Sequence, residues 1–324
     1  MRNVMDNQAI VELIQNEDYF LITSHVDPDG DNIASQLGLL SIFKELGKHA
    51  VIVDQDATPV AYQFLLNDDV IYHQLPPDTR YDYSFVLDAA NLDRVGDSVV
   101  ALIQQGNGVI NIDHHTSNTR FGTYNWVEPE ACATAIVVYK LAKALGVTLT
   151  PEMATRLYAG IITDTGRFRY TNTTLETFEV SADLVRHGAN PSYVATQIYD
   201  QEPISKLRLL VKVLSSLQSA ADGKIHWLQI TKSCYDETGS NVYESENMIN
   251  YATSIKGTKL AILFREMENS DRIRVSFRSK GFVNVDKLAQ CFGGGGHAAA
   301  AGARIPGTLA EVQQKVLTEA CKWV

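Results

Sequence analysis

The sequence predicts an α/β protein in which a doubly wound, mostly parallel sheet is joined by a helical linker to a smaller α+β domain. In the first two thirds of the chain, short apolar runs alternate with segments of helical periodicity. Several of these runs end in an acid or a histidine, as strands do at the ligand-binding edge of such a sheet. The last third has a different pattern of predicted elements, with strand-like and short helical segments around a run of glycines.

The length and composition are typical of a soluble two-domain protein. With 324 residues the chain exceeds one ordinary domain, and we expect domains at 1–187 and 221–324 around a linker at 188–220. No apolar run approaches the ~18 residues of a membrane span, and the polar segment 1–20 is not a signal peptide. The four cysteines are scattered without a CxxC pair, which indicates free thiols and a cytoplasmic protein.

Charge is shared unevenly along the chain. Residues 1–205 carry 12 Lys and Arg against 27 Asp and Glu, whereas residues 206–324 carry 16 against 11. A surface for a long nucleic-acid duplex needs a basic face, so this class of partner is disfavoured. The acidic half could still act on phosphates if bound cations offset the repulsion between its carboxylates and the phosphate groups. The basic half would then hold the anionic substrate. A solvated acidic surface is the other interpretation.

The first predicted strand leads into a polar loop. After a short amphipathic helix at 6–17, Tyr19–Ser24 is an apolar strand, and helical periodicity resumes over 33–46. The loop between them carries three candidate ligands: His25, Asp29 and Asp31. Its proline and glycine hold a non-helical path. A solvated turn would explain the aspartates, but a histidine at the strand end favours a binding site.

Two later strands also end in ionisable residues. Strands are predicted at 49–53, 83–87 and 108–112. The second of these ends in Asp88, and the third in Asp113, His114 and His115. A single acid at a strand end is usually a helix cap or a turn residue. Because the carboxyl ends of parallel strands meet at one edge of the sheet, we expect these residues to converge with the first loop.

A helical region follows the predicted sheet. Helices are expected at 130–145 and 151–162, the second begun by a proline at its preferred first position. Asp164 ends that apolar segment and is either a cap on a neighbouring turn or a metal ligand. The segment 174–220 is predicted to be helical almost throughout, with the interdomain connection near residues 188–205.

The last third predicts a small α+β domain around a glycine run. Strands are expected at 224–230, 259–264 and 272–278, and helices at 248–255, 285–291 and 309–322. Gly293–Gly296 precede His297 and an alanine run. Backbone N–H groups of the glycines could approach an anion, and the alanines would begin a helix behind them. A flexible linker is the alternative, although no serine-rich composition surrounds the run.

The candidate residues form a set that suits divalent cations. Five carboxylates in one pocket cannot all stay ionised without cations. Histidine and aspartate donors suit borderline or hard ions and lack the thiolates of structural zinc sites. We therefore expect two Mn²⁺ ions, with Mg²⁺ or Co²⁺ as alternatives. Two ions ~3.5–4 Å apart clamp the attacking and leaving oxygens of phosphoryl transfer and lower the pKa of a shared water.

These residues carry a family resemblance. The HxxxDxD pattern at 25–31, the strand-end Asp88, the triplet 113–115 and Asp164 resemble the four motifs of the DHH phosphoesterase superfamily. The pair Arg278-Ser279, the glycine run with His297, and the segment 300–302 resemble its DHH-associated C-terminal domain. Within the superfamily, the length and the segment 163–168 are most similar to the nanoRNase group. Its members are oligoribonucleases that also act as 3′-phosphoadenosine 5′-phosphate phosphatases.

The resemblance implies a role for each residue, on a DHH fold. One ion would be held by His25, Asp29 and Asp88. The second would be held by Asp31, Asp88, His114 and Asp164. Asp113 would orient a histidine, and His115 would contact the scissile phosphate. In the second domain the substrate would be held by Arg278, Ser279, Gly294, Gly295, Gly296 and His297.

The implied function is a metal-dependent phosphoesterase that hydrolyses short single-stranded RNA to mononucleotides and 3′-phosphoadenosine 5′-phosphate to AMP. A cleft between the domains would admit only short or terminal substrates. A phosphodiesterase of cyclic dinucleotides, such as cyclic di-AMP, or of their linear products is the close alternative. A pyrophosphatase or polyphosphatase ranks lower, because that class carries a Lys/Arg-rich C-terminal signature in place of the glycine run. A RecJ-type exonuclease would be longer.

A non-catalytic nucleotide sensor is the alternative from a different class. A sensor would have lost metal ligands, whereas every motif position of this chain keeps the residue that the motif requires. The helix-rich first domain could form a homodimer through an apolar face.

Overall fold

The chain folds as two units, Met1–Gln201 and Glu202–Val324. The computed structural model describes residues 2–267, 270–296 and 298–324, and of residues 2–5 the backbone alone. Among the described helices, none combines the length and the apolar character needed to cross a membrane.

The first unit is a parallel sheet covered by helices. Its strands are β1 (Tyr19–Thr23), β2 (His49–Val53), β3 (Ile71–Tyr72), β4 (Tyr83–Leu87), β5 (Gly108–Asp113) and β6 (Tyr124–Val127). Its helices are α1 (Arg2–Asn16), α2 (Gly30–Glu45), α3 (Asp97–Ile103), α4 (Thr134–Ala144), α5 (Pro151–Asp164), α6 (Leu175–Arg186) and α7 (Pro191–Tyr199). The strand order is β3-β2-β1-β4-β5-β6, with every described pairing parallel.

The strand order determines where a ligand can bind in this unit. The chain winds outwards in one direction from β1 and in the other from β4, so the order reverses between these two neighbours. Thr23 at the end of β1 lies opposite Val86 of β4, and Leu87 of β4 lies opposite Ile112 of β5. In open α/β sheets, ligands bind beyond the carboxyl ends of the strands at such a reversal. The residues that follow β1, β4 and β5 therefore share that edge.

The strands of the first unit are buried on both faces, which explains their nearly continuous apolar runs. Ile22 and Phe85 face the larger core, which also contains Leu37 of α2 and Leu157 of α5. The alternate residues of the same strands, Leu21 and Val86, face a smaller core under α3.

The second unit is a mixed sheet with helices on both faces. Its strands are β7 (Gln218–Ala220), β8 (Ile225–Ile230), β9 (Leu260–Glu266), β10 (Arg272–Ser279), β11 (Gly295–Gly296) and β12 (Ala300–Pro306). Its helices are α8 (Ile204–Ser215), α9 (Lys232–Thr238), α10 (Ile249–Ser254), α11 (Val285–Gln290) and α12 (Leu309–Ala320). The order is β11-β12-β10-β9-β8-β7, with β8 and β9 parallel and the other described pairs antiparallel. The two units together confirm the predicted fold class.

The alanine run after the glycines leads into a strand that begins at Ala300, and the predicted helix is wrong. Ala301, Ala303 and Ile305 are buried and alternate with half-buried or exposed residues, which is the two-residue period of a strand. They pair with Phe277, Val275 and Ile273 of β10. Pairing with an existing strand buries these small side chains in the sheet core, and this outweighs the intrinsic preference of alanine for a helix.

The segment predicted as a linker, residues 188–220, is divided between the two units. Val194 of α7 packs in the core of the first unit. Leu209 and Val213 of α8 pack in the second, against the face of the sheet that carries Leu228 and Leu263. Residues 218–220, expected to be helical, form the edge strand β7.

Candidate active site

Seven of the predicted ligands and catalytic residues converge beyond the carboxyl edge of the first sheet. Three groups of side chains each have ligand atoms within 4.8 Å of one another: His25, Asp29 and Asp88; Asp31, His114 and Asp164; and Asp88, His114 and His115. Asp88 and His114 each belong to two of the groups, so the three groups form one continuous cluster. The assignment of individual ligands to two ions stays a prediction.

Asp88 follows β4 in an unusual backbone conformation. Its φ is 53°, in the left-handed region that aspartate and asparagine tolerate better than most residues. Its N–H donates to the carbonyl of Ile112 on β5 at 3.0 Å, which fixes the turn. The carboxylate is buried, with Oδ2 3.4 Å from His25 Nε2 and Oδ1 3.5 Å from His114 Nε2. This conformation directs the carboxylate between the two histidines.

The rings of His25 and His114 are oriented by main-chain carbonyl groups. Nδ1 of His25 lies 2.8 Å from the carbonyl oxygen of Val26, and Nδ1 of His114 lies 3.2 Å from that of Ala131. A carbonyl only accepts, so each Nδ1 carries the proton, and in the neutral ring Nε2 holds the lone pair. Both Nε2 atoms face carboxylates. Metal-binding histidines use this orientation, with the second nitrogen donating to a carbonyl or an acid.

Asp31 lies at the N-termini of two helices. It is in the first turn of α2, and its two carboxylate oxygens accept the N–H groups of Thr134 at 2.6 Å and Ala135 at 3.0 Å, at the start of α4. Gly160 of α5 packs directly against it, since a Cβ there would lie 2.7 Å from Asp31 Oδ1. This close approach brings the end of α5, and therefore Asp164, next to Asp31 and His114.

The electrostatics of the cluster are those of a cation site. Burial raises the pKa of Asp31 well above its usual range and that of Asp164 to about 7. Burial opposes ionisation of Asp88 too, but the hydrogen bond from the imidazolium form of His25 and the charge of the imidazolium form of His114 hold its pKa below the usual value. Divalent cations would supply the positive charge that these buried carboxylates need to stay ionised together. The donor set therefore fits such ions.

A chain of hydrogen bonds through Asp113 and Asn118 holds the ring of His115. Its Nδ1 donates to Asp113 Oδ1 at 2.7 Å, and this bond raises the pKa of His115 to about 9. The other oxygen of Asp113 accepts from Asn118 Nδ2 at 2.6 Å. Asp113 is fully buried, whereas the His115 side chain is 37% exposed. The predicted orienting role of Asp113 would act through this hydrogen bond to His115.

Two residues near the cluster escaped the sequence analysis. Thr134 donates its hydroxyl to Asp88 Oδ1 at 2.9 Å and its N–H to Asp31, so it contacts two predicted ligands at once. Asp54 follows β2 and accepts from the Ser24 N–H at 3.2 Å and from the Thr23 hydroxyl at 3.1 Å, which fixes the turn before His25. An acid directly after an apolar strand was a usable signal for Asp54, whereas nothing local marks Thr134.

The predicted substrate-binding residues lie in the second unit. Arg278 is half-buried on β10, and the Ser279 hydroxyl accepts the N–H of Val283 at 3.0 Å. In the glycine run, Gly294 donates to the carbonyl of Ala289, and Gly296 donates to Asp286 Oδ1 at 2.9 Å. These two amides are therefore engaged within the protein. His297 lies outside the described residues, and the assignment of all six residues to the substrate stays a prediction.

Comparison with known proteins identifies the family. Residues 19–161 match the family described as the DHH family, N-terminal domain, and residues 225–324 match the DHHA1 domain. The chain is similar to a bifunctional oligoribonuclease and PAP phosphatase, NrnA, from Thermus thermophilus, at 36% identity over 301 residues, with 91% of this chain and 87% of that protein covered.

The chain belongs to the DHH family.

Two further similar proteins cover nearly the whole chain. The bifunctional oligoribonuclease and PAP phosphatase NrnA of Bacillus subtilis is 29% identical over 301 residues, with 91% of this chain and 92% of that protein covered. The crystal structure of an exopolyphosphatase-related protein from Bacteroides fragilis has a TM-score of 0.91 and 27% identity, over 98% of this chain and 96% of that one. The predicted resemblance is confirmed.

Replacing Thr134 with valine in this DHH chain is expected to lower kcat about 10- to 100-fold, since groups that orient metal ligands typically contribute this much. Valine keeps the shape and the backbone N–H groups but removes the hydroxyl that donates to Asp88. Thr134→Ser keeps that donor and should stay within a few-fold of the wild type. Steady-state rates with saturating Mn²⁺ test both variants, and equal losses in the two would assign Thr134 a packing role alone.

Proposed function

We propose that this protein is a metal-dependent phosphoesterase that hydrolyses short oligoribonucleotides to mononucleotides and 3′-phosphoadenosine 5′-phosphate to AMP. The observation that carries the proposal is the cluster of histidines and carboxylates around Asp88, at the sheet edge where the strand order reverses. The two NrnA relatives are named for an oligoribonuclease and a PAP phosphatase activity, and their similarity extends over about nine tenths of the chain.

The proposed metal site has two groups of ligands, which share Asp88. His25, Asp29 and Asp88 would hold one Mn²⁺ ion, and Asp31, Asp88, His114 and Asp164 the other. When bound, such ions neutralise charge on the phosphate oxygens and lower the pKa of the attacking water. The hydrogen bonds from Thr134 to Asp31 and Asp88 keep two of these carboxylates in fixed positions, so little reorganisation is needed when substrate binds.

His115 is the proposed contact to the scissile phosphate. Asp113 accepts the hydrogen bond from Nδ1–H and raises the pKa of His115 to about 9, so that the protonated ring still has its Nε2–H to donate to a phosphate oxygen. A donor held in this way stabilises the negative charge that builds up in the transition state. Arg278, Ser279, the glycine run and His297 are proposed to hold the remainder of the nucleotide. The expectations of a cytoplasmic location and of a homodimer stay predictions.

A comparison of substrates tests the proposal. We expect, with Mn²⁺ present, that kcat/KM for a linear diadenylate and for 3′-phosphoadenosine 5′-phosphate each exceed the values for cyclic di-AMP and pyrophosphate by at least about 10-fold, or 1.4 kcal/mol. A preference for cyclic di-AMP would favour the alternative function, and a preference for pyrophosphate would refute the proposal. Tight binding of all four without turnover would favour a nucleotide sensor.

A further inference from the structure

A phenylalanine of the second unit is exposed in a tight turn after β10. Phe282 is 64% exposed to solvent, although phenylalanine is among the residues most often buried. The hydroxyl of Ser279, at the end of β10, closes the turn by accepting the N–H of Val283 at 3.0 Å. Gly281 has a φ of 92°, in the left-handed region that favours glycine. The turn therefore holds an aromatic ring at the surface of the protein.

Three lysines lie beside this turn, at one edge of the second sheet. Ser279 lies opposite Leu260, the first residue of β9, so Lys280 and Lys259 lie just beyond the same edge. The carbonyl of Lys224, which precedes β8, accepts the N–H of Lys259 at 2.8 Å and places a third lysine there. The ion pairs that lysines make among the described residues all involve other positions. This edge of the sheet is therefore positively charged.

One of the lysines contacts the exposed ring. Lys259 Nζ lies over the ring of Phe282, 5.8 Å from its centroid, within the range of a cation–π interaction. Because most of Phe282 is exposed, a planar ligand can reach the ring face opposite Lys259. Surfaces that bind single-stranded nucleic acid combine the same two features, since basic groups attract the backbone phosphates and bases stack on aromatic rings.

The lysines distinguish Phe282 from another exposed aromatic residue of the same unit. A single exposed apolar side chain is common on protein surfaces and needs no ligand to explain it. Tyr243 is 82% exposed, and the acids Glu244 and Glu246 are close to it in the chain. Such surroundings repel phosphates, whereas those of Phe282 attract them.

We propose that Phe282, Lys259 and Lys280, here called the stacking platform, bind one nucleotide of single-stranded RNA, with its base on the ring and a phosphate at the lysines. The inference rests on the proposed function and names the part of the substrate that this surface holds. Phe282 is three residues from Ser279, a predicted nucleotide contact, so their Cα atoms are at most about 11 Å apart. An oligoribonucleotide with one nucleotide at Ser279 can place a neighbouring base on the platform. Because every base has a flat aromatic face, the platform accepts any sequence.

Two substitutions of Phe282 test the stacking. We expect Phe282→Leu to lower kcat/KM of the Mn²⁺-loaded enzyme for a five-nucleotide oligoadenylate about 10-fold, since leucine is apolar but has no aromatic face. Phe282→Trp should stay within a few-fold of the wild type, because an indole ring also stacks on bases. Tyr243→Leu is the matched control, because it removes an exposed aromatic ring from the acidic surroundings, and its kcat/KM should equal that of the wild type.

Fluorescence anisotropy with labelled RNA, without divalent metal, measures binding independently of turnover. Phe282→Leu should bind the five-nucleotide oligoadenylate about 10-fold more weakly than the wild type. Both proteins should bind an abasic oligomer of the same length equally, since it has phosphates but no bases. In Lys280→Gln, the dependence of log Kd for the oligoadenylate on log salt concentration should become shallower by about 0.7, the value for one lost phosphate contact. Lys232→Gln is the matched control, since Lys232 is an exposed lysine that follows β8, at the opposite edge of the sheet.

Four outcomes would overturn the inference: unchanged binding of the oligoadenylate by Phe282→Leu, an equal loss of binding for the abasic oligomer, an unchanged salt dependence in Lys280→Gln, or equal effects in the two control variants. If the expected differences in binding are found but neither the oligoadenylate nor 3′-phosphoadenosine 5′-phosphate is hydrolysed, the proposed function fails and the stacking platform stands. If both are hydrolysed and Phe282→Leu binds RNA as the wild type does, only the stacking platform fails.

Discussion

Asp88→Asn is expected to lower kcat/KM for 3′-phosphoadenosine 5′-phosphate and for diadenylate by at least about 1,000-fold, or about 4 kcal/mol of transition-state stabilisation. The substituted amide would lack the negative charge that faces His25 and His114, and it could not bridge two cations as a carboxylate does. The fold should persist, because asparagine tolerates the left-handed φ of 53° and its side-chain oxygen can still accept from Thr134. Alanine would add backbone strain at this position, so asparagine is the cleaner test.

Three measurements accompany that variant: initial rates, bound metal per chain by elemental analysis, and the thermal unfolding midpoint. Asp93→Asn is the matched control, since Asp93 is an exposed aspartate in the same loop, outside the cluster. We expect it to behave as the wild type in all three. If Asp88→Asn kept more than about a tenth of the activity with normal metal content, a shared carboxylate at this position would be ruled out.

Replacing Arg156 with methionine is expected to destabilise the first unit by about 3–5 kcal/mol, the usual result of breaking a buried ion pair. Arg156 is 1% exposed. Its guanidinium donates to Asp69 at 2.8 Å, to the Ser41 hydroxyl at 2.6 Å and to the carbonyls of Leu65 and Leu66 at 3.0 Å each. Methionine fills similar space but cannot donate to any of these acceptors, and it leaves Asp69 with only its half-exposed partner Lys44.

Calorimetry of the full chain should place the unfolding midpoint of the first unit roughly 10 °C lower in Arg156→Met. Lys44→Gln is the matched control because Lys44 pairs with the same Asp69 but is 58% exposed. An exposed pair contributes at most about 1 kcal/mol, so the control should shift the midpoint by only a few degrees. Similar shifts in both variants would mean that the buried Arg156 contributes no more to the stability of the first unit than the exposed Lys44 does.

Much of the fold could be predicted because its signals are local. The apolar strands β1, β4 and β5 and the proline that begins α5 are visible within a few residues of sequence. The start of α2 was placed too late, since Asp29 caps a helix that already begins at Gly30. The strand β6 and the helix α3 were missed, being too short to display a period.

The site was predictable to the extent that its residues end predicted strands. What could not be predicted depends on pairs of residues far apart in sequence. Thr134 binds Asp31 across 103 positions, and Arg156 binds Leu65 across 91. The alanine strand was misassigned for the same reason, because its partner β10 decides its conformation. The conformational propensity of a local segment does not indicate which distant residues it will contact.

The short outer strands of both sheets affect how the protein behaves at high concentration. In the described part of the chain, the first sheet ends in β3, with two residues, and β6, with four, while the second ends in β7, with three, and β11, with two. A long, flat outer strand offers a ladder of unpaired N–H and C=O groups on which a foreign strand can assemble, and this is a common route to amyloid-like aggregation. Strands of two to four residues offer too few such groups for a stable ladder. Sheets with long apolar strands inside are thereby kept from joining edge to edge.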